Sequence, residues 1–424
     1  MSCPAVALDV RPPARVYTLP PSAGFYLLAS ITTSFLAGSS APTPLYPIYQ
    51  RLWHFSPITV TVIFAVYALA LLAMLLVAGR LSDHVGRRPV LLAATAAQAL
   101  TMVVFAIADG LGALLAARVL QGLATGAALG AVGAGMLDLD RERGTVANAV
   151  APALGTAVGG VLAGALVRYL PQPTHLVYVV LAAVYVLQGL GVALMAEPGS
   201  RRPGALASLK VQLRAPRSTH GPLLMAAPLL VAGWAIAGFY ASLGPALMQR
   251  VFGLDSSWAG GVSLFLLAGS ASAAVLTLHR THEQRMRLVG AAALASGTAA
   301  VMVALALHSA VAFFAASMVA GAGFGLGFQG AVRGVMASVA ATERAAVLSI
   351  VFVLSYLALG LPAVAAGFVV ARTGHLVETA LGFAAAVVAL AAIALHTAAR
   401  KAPLELRARG DRADPGLGRR DLGA

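Results

Sequence analysis

The run Gly79-Arg80-Leu81-Ser82-Asp83-His84-Val85-Gly86-Arg87-Arg88-Pro89-Val90-Leu91 sets a carboxylate and two adjacent guanidinium groups between glycines, in a short polar turn flanked by long apolar stretches. Glycine at 79 and 86 allows a sharp reversal where a Cβ would clash. Asp83, Arg87 and Arg88 can then form an ion-pair cluster at the mouths of two neighbouring helices, where helix dipoles add to the field. A plain solvated turn is the alternative, and glycines at both reversals favour an ordered latch. Asp138, at the same end of a later apolar run, is the candidate for a further member. Elsewhere such side chains are sparse. All fifteen Asp and Glu, and the nine His, map to loops, tails or helix ends, and the lone Cys3 lies in the N-terminal tail. No nucleophile, base or metal-ligand set converges inside the apolar runs, so the chain reads as no enzyme, with no catalytic residue, metal or cofactor. Its only lysines, Lys210 and Lys401, sit in no G-x-x-x-x-G-K-[ST] phosphate loop, which disfavours an ATP-driven pump.

The elements that must position these groups are membrane helices. Of 424 residues, 59% are hydrophobic and 10% charged, against roughly 25% charged in soluble domains. A spanning helix needs about 20 apolar residues. That window gives twelve spans, near 23–48, 57–78, 89–108, 112–137, 145–168, 174–196, 222–247, 258–278, 287–307, 309–338, 344–370 and 375–397. The expected fold is an all-α integral membrane protein of 12 transmembrane helices in two six-helix bundles related by pseudo-twofold symmetry. The bundles are 23–196 and 222–397, joined by a cytoplasmic loop at 197–221. The tail 1–22 lacks the layout of a cleaved signal peptide, so the first span is expected to remain as an anchor. The tail 398–424 reads as disordered. A shift of about 199 residues aligns the charged turn with His279 to Arg287, and Gly122 and Gly126 with Gly321 and Gly325.

The net charge of +14 could suggest a nucleic-acid partner, but its distribution opposes that. Of 29 Lys and Arg, 23 fall on the side of the charged turn; Arg51, Arg168, Arg250 and Arg372 fall opposite, and Arg118 and Arg333 lie within spans. This positive-inside bias makes the lipid bilayer the partner and puts both termini in the cytoplasm of a cell whose inner or plasma membrane holds the protein.

The turn fits G-x-L-[small]-D-x-x-G-R-R-x-x-L and resembles the loop signature between helices 2 and 3 of the major facilitator superfamily of secondary transporters. His84 stands where that family more often has Arg or Lys. Arg118-Val119-Leu120-Gln121-Gly122, with Gly126, resembles the helix 4 signature, which implies an arginine facing a central cavity and, in drug/proton exchangers, linked to proton coupling. A charge at the hydrocarbon centre costs about 2.5–3.5 kcal/mol on insertion scales; the other reading is that Arg118 snorkels to the outer interface. Gly155-Thr156-Ala157-Val158-Gly159-Gly160 resembles the helix 5 signature of antiporters with Thr156 in place of its proline and Pro152 one turn earlier. Gly360-Leu361-Pro362-Ala363 with Gly367 is similar to the helix 11 pattern. The resemblance implies a monomer working by alternating access around a site where the halves meet.

Candidates for that site are Thr33 in the hydroxylated stretch of helix 1 (Ser30, Thr32, Thr33, Ser34, Ser39, Ser40), Tyr67 beside Phe64, Arg118 with Gln121, Trp234 and Tyr240, Gln329, and Tyr356. Aromatics at helical spacing are as readily core packing. Pro42, Pro44 and Pro47 predict a bent or unwound outer end of helix 1, a pivot or a simple terminus. Gly155, Gly159 and Gly160 predict close helix packing, and Arg333 an interface anchor. With no carboxylate at depth, a neutral, amphipathic or anionic small molecule suits the site better than a permanent cation. The function expected is export of a small organic compound of the drug-efflux type, with proton-coupled antiport as one mode and an uncoupled facilitator as another. A proton-linked importer of a metabolite or sugar-like solute is the alternative, as is a channel or non-transporting receptor on the same scaffold.

Overall fold

Backbone polar groups that enter hydrocarbon must pair within their own segment, so apolar runs of this length fold as helices. The computed structural model describes residues 19–199, 202–211, 217–254, 258–340 and 343–413, and helices dominate it. The first half comprises α1 (Pro21–Ser40), a 3-10 turn (Thr43–Leu45), α2 (Tyr46–Trp53), α3 (Pro57–Ala78), α4 (Ser82–Val85), α5 (Arg87–Ala106), α6 (Leu111–Leu139), α7 (Arg141–Tyr169) and α8 (Pro173–Leu194). A one-turn α9 (Ala205–Ser208) lies in the connection. The second half comprises α10 (Arg217–Ser242), α11 (Gly244–Arg250), α12 (Ala259–Leu278), α13 (Glu283–Ala306), α14 (Ala310–Met336), α15 (Arg344–Thr373) and α16 (Leu376–Ala413).

Eleven of the described helices are long and apolar enough to cross a membrane. The hydroxyls of α1 keep it below that apolarity, and counting it makes twelve. His308, at φ 51, breaks the chain between α13 and α14, and Ser309 caps α14 by accepting from the Ala312 amide at 3.3 Å. The last helix, α16, runs on past Ala398 to Ala413. Ala, Leu, Lys, Arg and Glu there are strong helix formers. The tail residues 1–18 and 414–424 lie outside the described residues.

Two separate apolar cores form, one within residues 25–195 and one within 226–394. Glycines let helices approach in the same way in both. A Cβ at Gly122 of α6 would lie 2.5 Å from the Tyr67 carbonyl of α3, and one at Gly126 would strike Leu71. Likewise Gly325 of α14 sits against Ala271 of α12, where a Cβ would fall 2.5 Å from its carbonyl, and Gly321 against Leu267. The spacing that aligns the halves in sequence thus marks one helix contact made twice. Across the seam α7 packs on α12 and α3 on α15. Gly160 meets Gly261, Gly164 meets Trp258, and Ser272 Oγ donates to the Val150 carbonyl at 3.2 Å. At the end away from the charged turn, the buried 3-10 turn reaches from α7 to α12 and closes the seam.

Candidate gate and cargo site

Only one of the two turn glycines makes the reversal. Gly86 has φ 109 and ψ 154, a region essentially reserved for glycine. Gly79 is helical at φ −58 and matters through close approach, since a Cβ on Gly130 of α6 would lie 2.6 Å from its carbonyl. Replacing Gly86 with Ala should therefore lower stability by roughly 1–3 kcal/mol, read as a lower melting temperature of the purified protein; an unchanged Tm would contradict the strain.

Beyond Gly86 the Arg87 guanidinium is buried and three-way bonded. It donates to Ser82 Oγ at 2.7 Å, to Asp83 Oδ1, and through Nε to Asp138 Oδ2 at 3.2 Å. Asp138 thus joins the cluster. Arg88 does not, and donates instead to the Ala193 carbonyl. The carboxylate that sequence reasoning missed is Glu197, which accepts from the backbone amides of Arg87 at 2.6 Å and Arg88 at 3.1 Å. The exposed amides that open α5 demand such an acceptor, and the only signal was an acid just past the end of α8. His84, the departure from the family signature, bonds through Nδ1 to the Pro203 carbonyl at 2.9 Å, while the Arg202 amide donates to the Asp83 carbonyl at 3.1 Å. The described partners of the turn thus lie in the first half and the connection. In the second half, His282 and Met286 stand at the positions of Asp83 and Arg87, and Arg333 Nη1 donates to the His279 carbonyl at 2.7 Å, at the end of α12.

Arg118 is fully buried and neither snorkels nor opens to a cavity. The prolines explain its position. Pro42 has no N–H, so the Gly38 carbonyl loses its helical donor, and as the chain turns away the Ser39 carbonyl is left free as well. Gln121 Nε2 takes up Gly38 at 2.9 Å and Arg118 Nη1 takes up Ser39 at 2.9 Å. The two side chains are themselves joined, Arg118 Nη1 to Gln121 Oε1 at 2.6 Å, and Arg118 also donates to Tyr46 Oη. The rings of Tyr46, Tyr67 and Phe105 surround the guanidinium at 5.4–5.8 Å, and no carboxylate pairs with it among the described residues. A cation over the carbonyl end of a helix is electrostatically favoured. The R-x-x-Q pair therefore caps the broken end of α1.

Three cargo candidates come together at the seam. Tyr67 of α3 and Tyr356 of α15 share one apolar cluster, with Trp234 of α10, Phe64 and Phe352 packed against it. The Trp234 ring lies 5.0 Å from Tyr356, 5.6 Å from Phe328 and 6.2 Å from Phe324. Tyr240 is elsewhere: it bonds Ser317 Oγ at 2.5 Å and packs on Phe239 and Phe313 in the second core. Thr33 Oγ1 donates to its own helix at Ala29. Ser30 and Ser34 meet Gln188 of α8, and Tyr185 donates to the Ser34 carbonyl, so this part of the hydroxylated face ties α1 to α8. Gln329 is half-buried next to Phe328 and has no side-chain hydrogen bond among the described residues.

A family model described as Major Facilitator Superfamily matches residues 28–361, well over half of the chain. The chain belongs to the major facilitator superfamily. It is a multi-pass membrane transport protein and not an enzyme. The fold is similar to that in a crystal structure of a mutant of the nucleoside transporter NupG, with a TM-score of 0.67 over 89% of this chain and 100% of that one. At 14% identity that likeness shows the fold. In this major facilitator protein the helix 5 glycines serve two neighbours. Gly155 and Gly159 admit α1, where a Cβ would strike the Thr33 and Ala37 backbones, while Gly160 crosses the seam to Gly261. Pro152 lies within α7, and Thr156 Oγ1 donates back to its carbonyl at 3.1 Å.

Proposed function

We propose that this superfamily member is a secondary active transporter that moves a small organic molecule by alternating access, as a monomer exporting it across the inner membrane of a bacterium. Both termini and the Asp83 turn face the cytoplasm. The observation that carries the reading is the aromatic seam cluster, which lies between two independently packed cores and so can be uncovered by rocking one against the other. The far end of the seam is closed while the charged turn has its described partners in its own half, as expected of an outward-closed form. Closing the inner end would bring Asp83, Asp138 and Arg87 against the second bundle, and protons exchanged with that carboxylate group are the candidate driving ion.

Saturable, competitor-sensitive flux in proteoliposomes, with a direction set by an imposed pH gradient, is the expected result; ohmic conductance or no flux of any compound in a broad panel would overturn it. Rocking itself has a separate check. Gly261 touches the Gly160 backbone with no room for a Cβ, so Gly261→Val should push the far end open. In a Cys3→Ser background, a Thr43→Cys reporter in the buried 3-10 turn should label several-fold faster from outside when Gly261→Val is added. Equal labelling rates would mean that the seam contact does not hold that end shut.

A further inference from the structure

Trp234 is walled by Phe324, Phe328 and Tyr356 and faces α3 across the seam, yet its indole Nε1 is buried with no acceptor. Tyr67 Oη is also buried without a partner of normal geometry, although Ser39 and Thr125 lie near it. Ser39 and Thr125 have spent their own hydroxyl protons on helix carbonyls. Ser355 Oγ, on α15 between Phe352 and Leu359, is a third such group. Buried polar atoms without a partner are rare in folded proteins because each is costly. Of the three, the indole can only donate.

The electrostatics favour one sign of ligand. Aromatic walls alone would attract cations. Here, however, the Arg118 guanidinium stands 5.4 Å from the Tyr67 ring, and its described partners are neutral carbonyl, amide and hydroxyl oxygens. A second cation brought into this apolar seam would meet that charge with no carboxylate among the described residues to offset it, whereas an acceptor oxygen would be drawn to it.

We propose that the seam between α3, α10 and α15 binds a planar aromatic molecule that carries a carbonyl or carboxylate acceptor and no positive charge, with Trp234 Nε1 donating to that acceptor. The aromatic body replaces the ring contacts that separate as the bundles rock, and the acceptor fills the open valence of the indole. This assignment rests on the transport reading, because a molecule held in the seam is passed to the other side only if the bundles move.

The test uses the full chain in lipid nanodiscs and three probes of matched ring size: naphthamide, naphthoate and naphthylmethyl-trimethylammonium, each followed by equilibrium dialysis. Naphthamide and naphthoate should bind saturably, separating the carbonyl from the carboxylate form of the acceptor, with the ammonium at least tenfold weaker. Trp234→Phe keeps a ring and removes the N–H; it should weaken the two acceptors by about tenfold and leave the ammonium unchanged. Tyr67→Phe gives a second donor deletion should the first variant not fold. Ammonium binding as tight as naphthamide, acceptor affinities unchanged in a folded Trp234→Phe, or no saturable binding of any probe would each overturn the assignment. Probes that bind while no compound of a broad panel crosses a proteoliposome membrane would sink the transport reading alone; flux of another compound, indifferent to all three probes, would sink the cargo class alone.

Discussion

Arg118→Ala should destabilise the protein by about 3 kcal/mol or more, seen as a large fall in Tm in detergent and in poor recovery from membranes. The Ser39 carbonyl and Gln121 Oε1 would lose their donor in a fully buried site, and each stranded polar group costs roughly 1–3 kcal/mol. Arg118→Lys should recover only part of the loss, because one ammonium on a single stem cannot reproduce the fork that spans Ser39, Gln121 and Tyr46. The same physics separates two roles for this residue. As the cap on the broken α1, it should affect stability and flux together. A variant such as Arg118→Met that keeps normal Tm while losing proton-dependent flux would instead make Arg118 a coupling residue.

Asp83→Asn should behave in the opposite way, with flux falling at least about tenfold and stability nearly unchanged. The Asp83 side chain is 40% exposed, so water screens its pair with Arg87 and the ground-state loss is small. Arg87 also keeps Ser82 and Asp138. In the proposed cycle the Asp83 carboxylate acts when the inner ends of the bundles approach, where a neutral amide would leave Asp138 as the one carboxylate facing Arg87 in a drier setting. Initial flux rates in proteoliposomes, set beside Tm and membrane yield, check both halves of the expectation. Flux equal to the parent protein would remove the latch from the mechanism. Arg87→Ala, which strips three acceptors of one buried donor, should lower both quantities.

The spans and the superfamily signatures are readable without coordinates because they rest on local or one-dimensional physics. Hydrocarbon forces helices on any long apolar run, loop charge sets orientation, and three prolines within six residues break α1 wherever it packs. The glycine pairs at 122/126 and 321/325 likewise announce a contact made twice. What the sequence leaves open is which way each side chain faces. Trp234 and Tyr240 share α10, yet one reaches the seam and the other is locked to Ser317. Arg118 allows a cavity, an interface or a cap until Gly38 and Ser39 are seen to lack donors. In water a helix declares its buried face by polarity; in lipid the outer face, the core and the seam are all apolar, so that signal vanishes. Glu197 escapes for a related reason, as its partners are backbone amides brought beside it only when α5 and α8 pack. The chain itself thus determines that it crosses the membrane many times and carries a charged turn. Only the packing of helix on helix decides which polar atoms are spent on structure and which, at the Trp234 indole, is left without an acceptor.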